Sequence, residues 1–136
     1  MYFLTEIIKH MARLANRKDS NHKQIVDELR RNGWYVTDVS NIPKICDIRI
    51  SAKWNRTPID ICVEIKDGSK APSKRKLTSD EKEYIKGYPS HVAIVENVDD
   101  VAVITQMAVD FCFSRGNYLD IMRPMRYKVD LVLERG

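Results

Sequence analysis

The clearest pattern along the chain is a strict alternation of apolar and polar residues at positions 58–66. Every second position in this run carries a branched apolar side chain: Ile59, Ile61, Val63 and Ile65. A period of two residues is typical of a β-strand that buries one of its faces. The other face of this half-buried strand then carries Asp60, Cys62, Glu64 and Lys66.

Residues 46–50, before this run, are also β-like, and the link Trp54-Asn55-Arg56-Thr57 is typical of a four-residue hairpin loop. If the hairpin is symmetric about the centre of this loop, Asp47 lies opposite Glu64, with Cβ atoms about 5 Å apart. Two like charges at that distance destabilise the strand pair unless a cation offsets them. Carboxylate oxygens suit Mg²⁺ or Mn²⁺, and Lys66 beside them can polarise a water. A solvated strand face with a neighbouring Glu–Lys pair explains the same pattern equally well.

The remaining periodicities predict further helices and strands. Helical spacing predicts an amphipathic helix at residues 2–16 and a second at about 21–32, capped by Asp19 or Ser20 and ended by Asn32-Gly33. A strand is expected at 34–39, a helix that begins at a Thr78–Glu81 capping box, a strand at 91–95 and a helix from 98. Alternation at 127–133 predicts a last strand. The chain is therefore expected to be an α/β protein.

Asp47 followed by Glu64-Ile65-Lys66 resembles the Asp…Glu-x-Lys signature of the PD-(D/E)XK nuclease superfamily. The flanking segments, which include Asp19-Ser20-Asn21, Lys66-Asp67-Gly68 and Leu77-Thr78, resemble small phage and bacterial VRR-NUC-type nucleases, a branch similar to archaeal Holliday-junction resolvases. The resemblance covers roughly residues 19–105. It implies one domain, 1–136, with an αβββαβ restriction-endonuclease-like core at about 19–113, in which helices flank a mixed sheet. An N-terminal helix (1–18) and a C-terminal extension (114–136) are added to this core.

The resemblance implies an endonuclease that depends on Mg²⁺ or Mn²⁺ and cleaves DNA. It also implies that the enzyme recognises the structure of the DNA, such as a branched site, rather than a base sequence. Asp47, Glu64 and the backbone carbonyl of Ile65 are the implied metal ligands, and Lys66 positions the attacking water. Polar residues on the helix at 21–32 often lean toward the site in this family, and the candidates here are Asn21, Gln24 and Glu28. Asn21 is as readily explained as a helix cap.

Two positions depart from the family pattern. Cys46 stands where a proline is expected before the metal-binding Asp, and Glu81 stands where a glutamine is usual. Glu81 as a member of the capping box is the preferred interpretation over a role beside the metal.

The segment at 67–76 is predicted to be a loop because it contains Gly, Ser and Pro. It is also basic, with one acid against Lys70, Lys74, Arg75 and Lys76. A basic loop that starts beside the candidate metal site is well placed to hold a phosphate backbone. A loop that is merely soluble is the alternative.

Composition narrows the classes of protein only slightly. The net charge of +4 and pI near 9.0 permit a nucleic-acid partner without requiring one. No apolar run approaches the roughly 20 residues of a membrane span, and no secretory leader is visible, so we expect a cytoplasmic protein with no membrane partner. The three cysteines are expected to be free thiols. A non-catalytic nucleic-acid-binding module and a protein–protein adaptor stay open, as does a homodimer formed through the first helix or the last strand.

Overall fold

The computed structural model describes residues 20–114 and 123–134 of the chain. The predicted helix at 2–16 and the candidate cap Asp19 lie outside the described residues. Apart from a short 3₁₀ turn at Pro72–Lys74, the elements from His22 to Val95 follow the predicted order of one helix, three strands, one helix and one strand. The described part of the chain is a mixed α/β structure, as expected.

Helix α1 spans His22–Arg31 and buries an apolar stripe of Ile25, Val26 and Leu29. Burial of side chains of this size contributes about 1.5–3 kcal/mol each relative to exposure. The helix ends at Asn32, and Gly33 follows with φ of +94°, where a residue without Cβ is favoured. The predicted extent and termination of this helix are confirmed, but the predicted cap Ser20 is wrong: Asn21 occupies the N-cap position, and the Ser20 hydroxyl instead donates to Asp67 Oδ2 at 2.7 Å.

Within the described residues, five strands form one mixed sheet in the spatial order β1-β2-β3-β4-β5. Strands β1, Tyr35–Asp38, β2, Ile48–Trp54, and β3, Thr57–Ile65, pair in antiparallel fashion. Strand β4, His91–Val95, runs parallel to β3, and the two-residue β5, Arg126–Tyr127, runs parallel to β4. The parallel step from β3 to β4 is made possible by the helix between them.

Helices cover both faces of the sheet. One face packs against α1 and against α3, Val98–Phe113, and contains the alternating residues of β3 that the sequence predicted to be buried. The other face packs against α2, Ser79–Gly87, and α4, Val129–Glu134. None of the helices in the described ranges is both long enough and apolar enough to cross a membrane.

The β2–β3 hairpin has the predicted register but a shorter loop. Ile48 pairs with Val63 and Trp54 with Thr57, so only Asn55 and Arg56 connect the strands. Both have positive φ, 50° and 60°, as in a tight two-residue hairpin turn. The four-residue loop was a wrong prediction, because Trp54 and Thr57 are themselves paired.

The half-buried character of β3 was also predicted incorrectly. Its last five residues, 61–65, are all buried, including Cys62 and Glu64 on the side expected to face solvent. The reason is that α2 and α4 pack over that side, where Cys62 joins Ile85 and Val132 in a second apolar cluster. The three cysteines, Cys46 among them, are buried free thiols, as predicted.

The predicted last strand at 127–133 is wrong beyond Tyr127. Lys128 adopts φ of 60°, which ends β5 and turns the chain into α4. Val129 and Val132, three residues apart, are fully buried, whereas Leu131 is exposed. Helical spacing therefore decides which of the alternating apolar residues are buried.

Candidate metal site

Asp47 lies where the β2–β3 hairpin opens. Its backbone N–H donates to the carbonyl of Val63 at 3.1 Å, and its carbonyl accepts from Val39 at 3.0 Å. Its side-chain Oδ2 accepts the backbone N–H of Ile65 at 2.8 Å. The register that pairs Ile48 with Val63 places Asp47 beside Glu64, and both side chains line one cleft. The predicted convergence of the two carboxylates is therefore present.

Glu64 is 4% exposed and lies among other acids. Burial raises the pKa of Glu64 well above its ordinary value, and a hydrogen bond to Glu81 and the charge of Asp47 raise it further. Three carboxyl groups thus meet at one place with little solvent around the middle one. Such an arrangement favours whatever brings positive charge to it, a proton or a cation.

Lys66 provides the amine of this site. Its Nζ donates to both carboxylate oxygens of Glu81, at 2.9 and 3.1 Å, and lies 4.0 Å from Oε1 of Glu64. The Glu64–Lys66 spacing of two residues along β3 puts both side chains on the same side of the strand. The amine is therefore held by Glu81 and lies beside Glu64.

Glu81 has two roles that the sequence presented as alternatives. It completes the capping box of α2, since Thr78 N–H donates to Glu81 Oε1 at 2.7 Å and Glu81 N–H donates to Thr78 Oγ1 at 3.2 Å. The same carboxylate binds Lys66. Burial raises the pKa of Glu81, but hydrogen bonds from Glu64, from the Thr78 backbone and from Lys66 outweigh it and lower the pKa to about 2. The pKa values of the two neighbouring carboxyl groups are therefore shifted in opposite directions, that of Glu64 upward and that of Glu81 downward.

The cleft has a volume of about 460 Å³ and two distinct walls. Asp47, Glu64 and Lys66 form its floor. One wall is the segment that connects β1 to Asp47, and the other is the start of α2. The described residues on the walls are Ser40, Ile42, Pro43, Lys44, Ile45, Thr78, Asp80 and Glu81. The opening is large enough for a phosphodiester group.

The donor set fits a hard divalent cation in part. Asp47, Glu64 and Glu81 provide carboxylate oxygens, and because N–H and C=O of one strand residue point to the same edge, the carbonyl of Ile65 faces the side of Asp47. Mg²⁺ typically binds one or two carboxylates and keeps several waters. Within residues 20–114 and 123–134, however, no group of three or more His, Cys, Asp or Glu side chains is arranged to hold a metal by itself. A cation here needs the backbone carbonyl and water to complete its shell.

None of the three candidates predicted at 21–32, Asn21, Gln24 and Glu28, is among the described residues that line this cleft. Asn21 occupies the N-cap position of α1, but its side chain makes no cap hydrogen bond and donates from Nδ2 to the backbone carbonyls of Lys66 and Glu96, at 3.1 and 3.0 Å. It thereby supports the end of β3. Gln24 lines a neighbouring pocket of about 400 Å³ with Asn21 and Asp67. Glu28 binds Arg31 on the surface of α1 and is not among the described residues that line the cleft.

The four basic side chains predicted in the loop at 67–76 differ in exposure. Lys70, Lys74 and Lys76 are exposed. Arg75 instead forms an ion pair with Glu96, with side chains that are 16% and 2% exposed. None of the described residues lining the cleft comes from residues 67–76. Three of the four predicted phosphate contacts are therefore accessible, and the fourth anchors the loop.

The ion-pair cluster around Glu96 was missed from the sequence. Asp100 accepts the backbone N–H of Glu96 at 2.8 Å, the Tyr127 hydroxyl at 3.0 Å and Lys128 Nζ at 3.0 Å. Burial raises the pKa of Tyr127 to about 12, and its bond to Asp100 adds to this. The available signal was weak: an acid directly after a buried strand and another in the first turn of the next helix. The cluster joins the basic loop and the segment at 126–128 to the end of β4.

Comparison with known proteins does not supply a family for this chain, because no family model matches it and neither the curated proteins nor the solved structures give a significant match.

Proposed function

We propose that the chain is a metal-dependent endonuclease of the PD-(D/E)XK type that hydrolyses DNA phosphodiester bonds. The observation that carries the proposal is the convergence of Asp47, Glu64 and Lys66 on the floor of one open cleft, with Glu64 almost fully buried. The order of one helix, three strands, a helix and a strand is compatible with a restriction-endonuclease-like core.

The residues of the cleft have separable tasks in this reaction. Asp47, Glu64 and the carbonyl of Ile65 would hold Mg²⁺ or Mn²⁺, and Glu81 lies within hydrogen-bond reach of Glu64. The chemistry that such a cation supplies is polarisation of the scissile phosphate and compensation of its charge. Asp47 lines the cleft, and the Ile65 N–H orients its carboxylate by donating to Oδ2.

Lys66 orients the attacking water and meets the negative charge that develops on the phosphoryl oxygens. Glu81 holds the amine in place before substrate arrives. Because both Glu81 and α2 are fixed by the capping box, the amine has a defined position rather than a range of rotamers. Preorganisation of this kind is what makes one charge worth about 10²-fold or more in rate.

The substrate that we propose is DNA, cleaved according to structure, in the manner of a junction resolvase. The exposed lysines at 70, 74 and 76 support contact with a phosphate backbone. A matched set of a four-way junction, a plain duplex and a single strand in one gel, with Mg²⁺ or Mn²⁺, measures this preference.

Lys66→Ala tests the catalytic assignment. We expect cleavage to fall by at least about 10²-fold while DNA affinity changes little. The control is Lys86→Ala, which removes the same charge from an exposed site near the end of α2. Equal cleavage by Lys66→Ala and the unmodified protein would refute the assignment.

The second candidate is a non-catalytic nucleic-acid-binding module. The observation in its favour is that, in the described residues, no group of three His, Cys, Asp or Glu side chains is arranged to hold a metal. Calorimetry with Mn²⁺ separates the two. Binding that Asp47→Asn abolishes supports the nuclease, and DNA binding without any Mn²⁺ binding supports the module.

A further inference from the structure

The segment between β1 and Asp47 carries two exposed apolar side chains. Ile42 is 49% exposed and Ile45 is 36% exposed. Single exposed isoleucines are common on protein surfaces. These two, however, form one wall of the polar cleft that contains Asp47, Glu64 and Lys66. The apolar wall therefore suits a different part of a ligand from the part that the charged floor would bind.

The wall is hydrogen-bonded to the rest of the structure at both of its ends. Asp38 accepts the backbone N–H of Ser40 at 3.0 Å through Oδ1, and its Oδ2 lies 3.1 Å from Nε2 of the buried His22. Ile42 N–H donates to Val39 at 3.0 Å, and Asp47 continues the ladder at the other end. The segment is thus anchored by α1 and the sheet, and both isoleucines line the cleft instead of joining the core.

A phosphate group does not fit this wall, since apolar surface cannot replace its water. The flat face of a nucleobase does fit, because apolar side chains such as Ile contact or wedge against unstacked bases. Lys44 lies between the two isoleucines and is exposed, and it can bind the phosphate of the same nucleotide. Asp80 on the opposite wall disfavours a second phosphate there. The wall therefore fits a nucleotide that presents its base to Ile42 and Ile45.

We infer that Ile42 and Ile45 form a binding site for an unstacked nucleobase next to the cleaved bond, so that the cleft selects DNA in which a base is already displaced. This inference rests on the proposed function and supplies its specificity. Unstacking a paired base costs free energy, and a bulge, branch or frayed end has already lost most of that stacking. Intact duplex is disfavoured because its bases cannot reach the wall.

The test uses the double variant Ile42→Ser/Ile45→Ser. The control is Val103→Ser, because Val103 is also a branched apolar residue and is 44% exposed on α3. A DNA with a single bulged 2-aminopurine reports unstacking by a rise in fluorescence. Binding is measured to this DNA and to the matched duplex, in protein that also carries Asp47→Asn so that cleavage does not interfere. Cleavage of both DNAs is measured separately without Asp47→Asn.

We expect the protein to raise the fluorescence and to prefer the bulged DNA, and the double variant to lose most of the rise and about tenfold of the preference. The control should retain both. An unchanged response in the double variant, an equal loss in Val103→Ser, or no DNA binding would overturn the inference. So would a shift from dimer to monomer in the double variant, since the wall would then be a contact between copies. A fluorescence rise without cleavage of any DNA would support the base site and reject the proposed endonuclease instead.

Discussion

Gly68 is the position where a single added carbon should be most damaging close to the cleft. It follows Lys66 by two residues, and its N–H donates to the carbonyl of Glu96 at 2.9 Å. A Cβ added here would lie 2.9 Å from that carbonyl oxygen and 3.1 Å from Glu96 Cβ. The nearest atom is backbone, and Asn21 also donates to the same oxygen, so neither side can move without losing hydrogen bonds.

The expected cost of Gly68→Ala follows from these contacts. Overpacking against backbone costs about 1–3 kcal/mol, and a weakened hydrogen bond at the same oxygen adds about 1 kcal/mol. We therefore expect the free energy of unfolding to fall by roughly 2–4 kcal/mol, which corresponds to a decrease of about 1–2 M in the urea midpoint for a typical slope of about 2 kcal/mol/M.

Gly87→Ala is the matched control for this change. A Cβ at Gly87 meets no atom of the described structure within 4 Å, and the residue ends α2 with negative φ. Alanine there should be neutral or stabilise by up to about 1 kcal/mol. Urea unfolding of both variants by circular dichroism provides the comparison. Equal midpoints for Gly68→Ala and Gly87→Ala would show that the close approach to Glu96 does not constrain the chain.

Three further predictions address pH, the basic loop and the cap. Burial lowers the pKa of His91, whose Nδ1 accepts Met125 N–H at 2.7 Å. Below about pH 6.5 the unfolded chain therefore binds a proton that the folded chain resists, so the free energy of unfolding should decrease as the pH decreases. His91→Gln should flatten this dependence between pH 6.5 and 5, and an unchanged slope in thermal unfolding would contradict it. Arg75→Ala should lower the free energy of unfolding by about 2–4 kcal/mol because it leaves the buried Glu96 with a weaker partner. The control Lys74→Ala should change it by less than about 0.5 kcal/mol. Similar melting temperatures for the two variants would argue against the buried pair. Glu81→Ala should destabilise the protein by about 1–2 kcal/mol because the helix cap is lost. Glu81→Gln should retain most of this stability because an amide oxygen can still accept the Thr78 N–H. If both variants unfold at the same urea concentration, the cap oxygen is not responsible for the loss of stability.

The register of the hairpin was predictable even though its loop was not. A four-residue and a two-residue loop with the same centre bring the same residues opposite each other, so Asp47 meets Glu64 in either case. The turn type depended on positive φ at Asn55 and Arg56, and Arg gives no local signal for that conformation.

The features that were missed depend on contacts distant in sequence. Arg75 and Glu96 are 21 residues apart, and no spacing rule connects a loop with the end of a strand. The second buried face of β3 follows from the packing of α2 and α4, which local alternation does not encode. The same limit applies to the C-terminal helix, whose start is decided by the backbone of Lys128.

The ion pairs around the cleft are better understood as placing the basic loop than as stabilising the fold. Lys66 binds Glu81 across 15 residues of sequence, and Arg75 binds Glu96 near the other end of the same loop. Buried ion pairs often contribute no more stability than apolar residues of similar size, yet each of these fixes one end of the segment that carries Lys70 and Lys74. Because both anchors lie at the end of β3 and β4, the exposed lysines are kept within a limited distance of the cleft. A loop of this length held only by apolar contacts could slide along the sheet, and its charges would then have no fixed relation to Asp47 and Glu64.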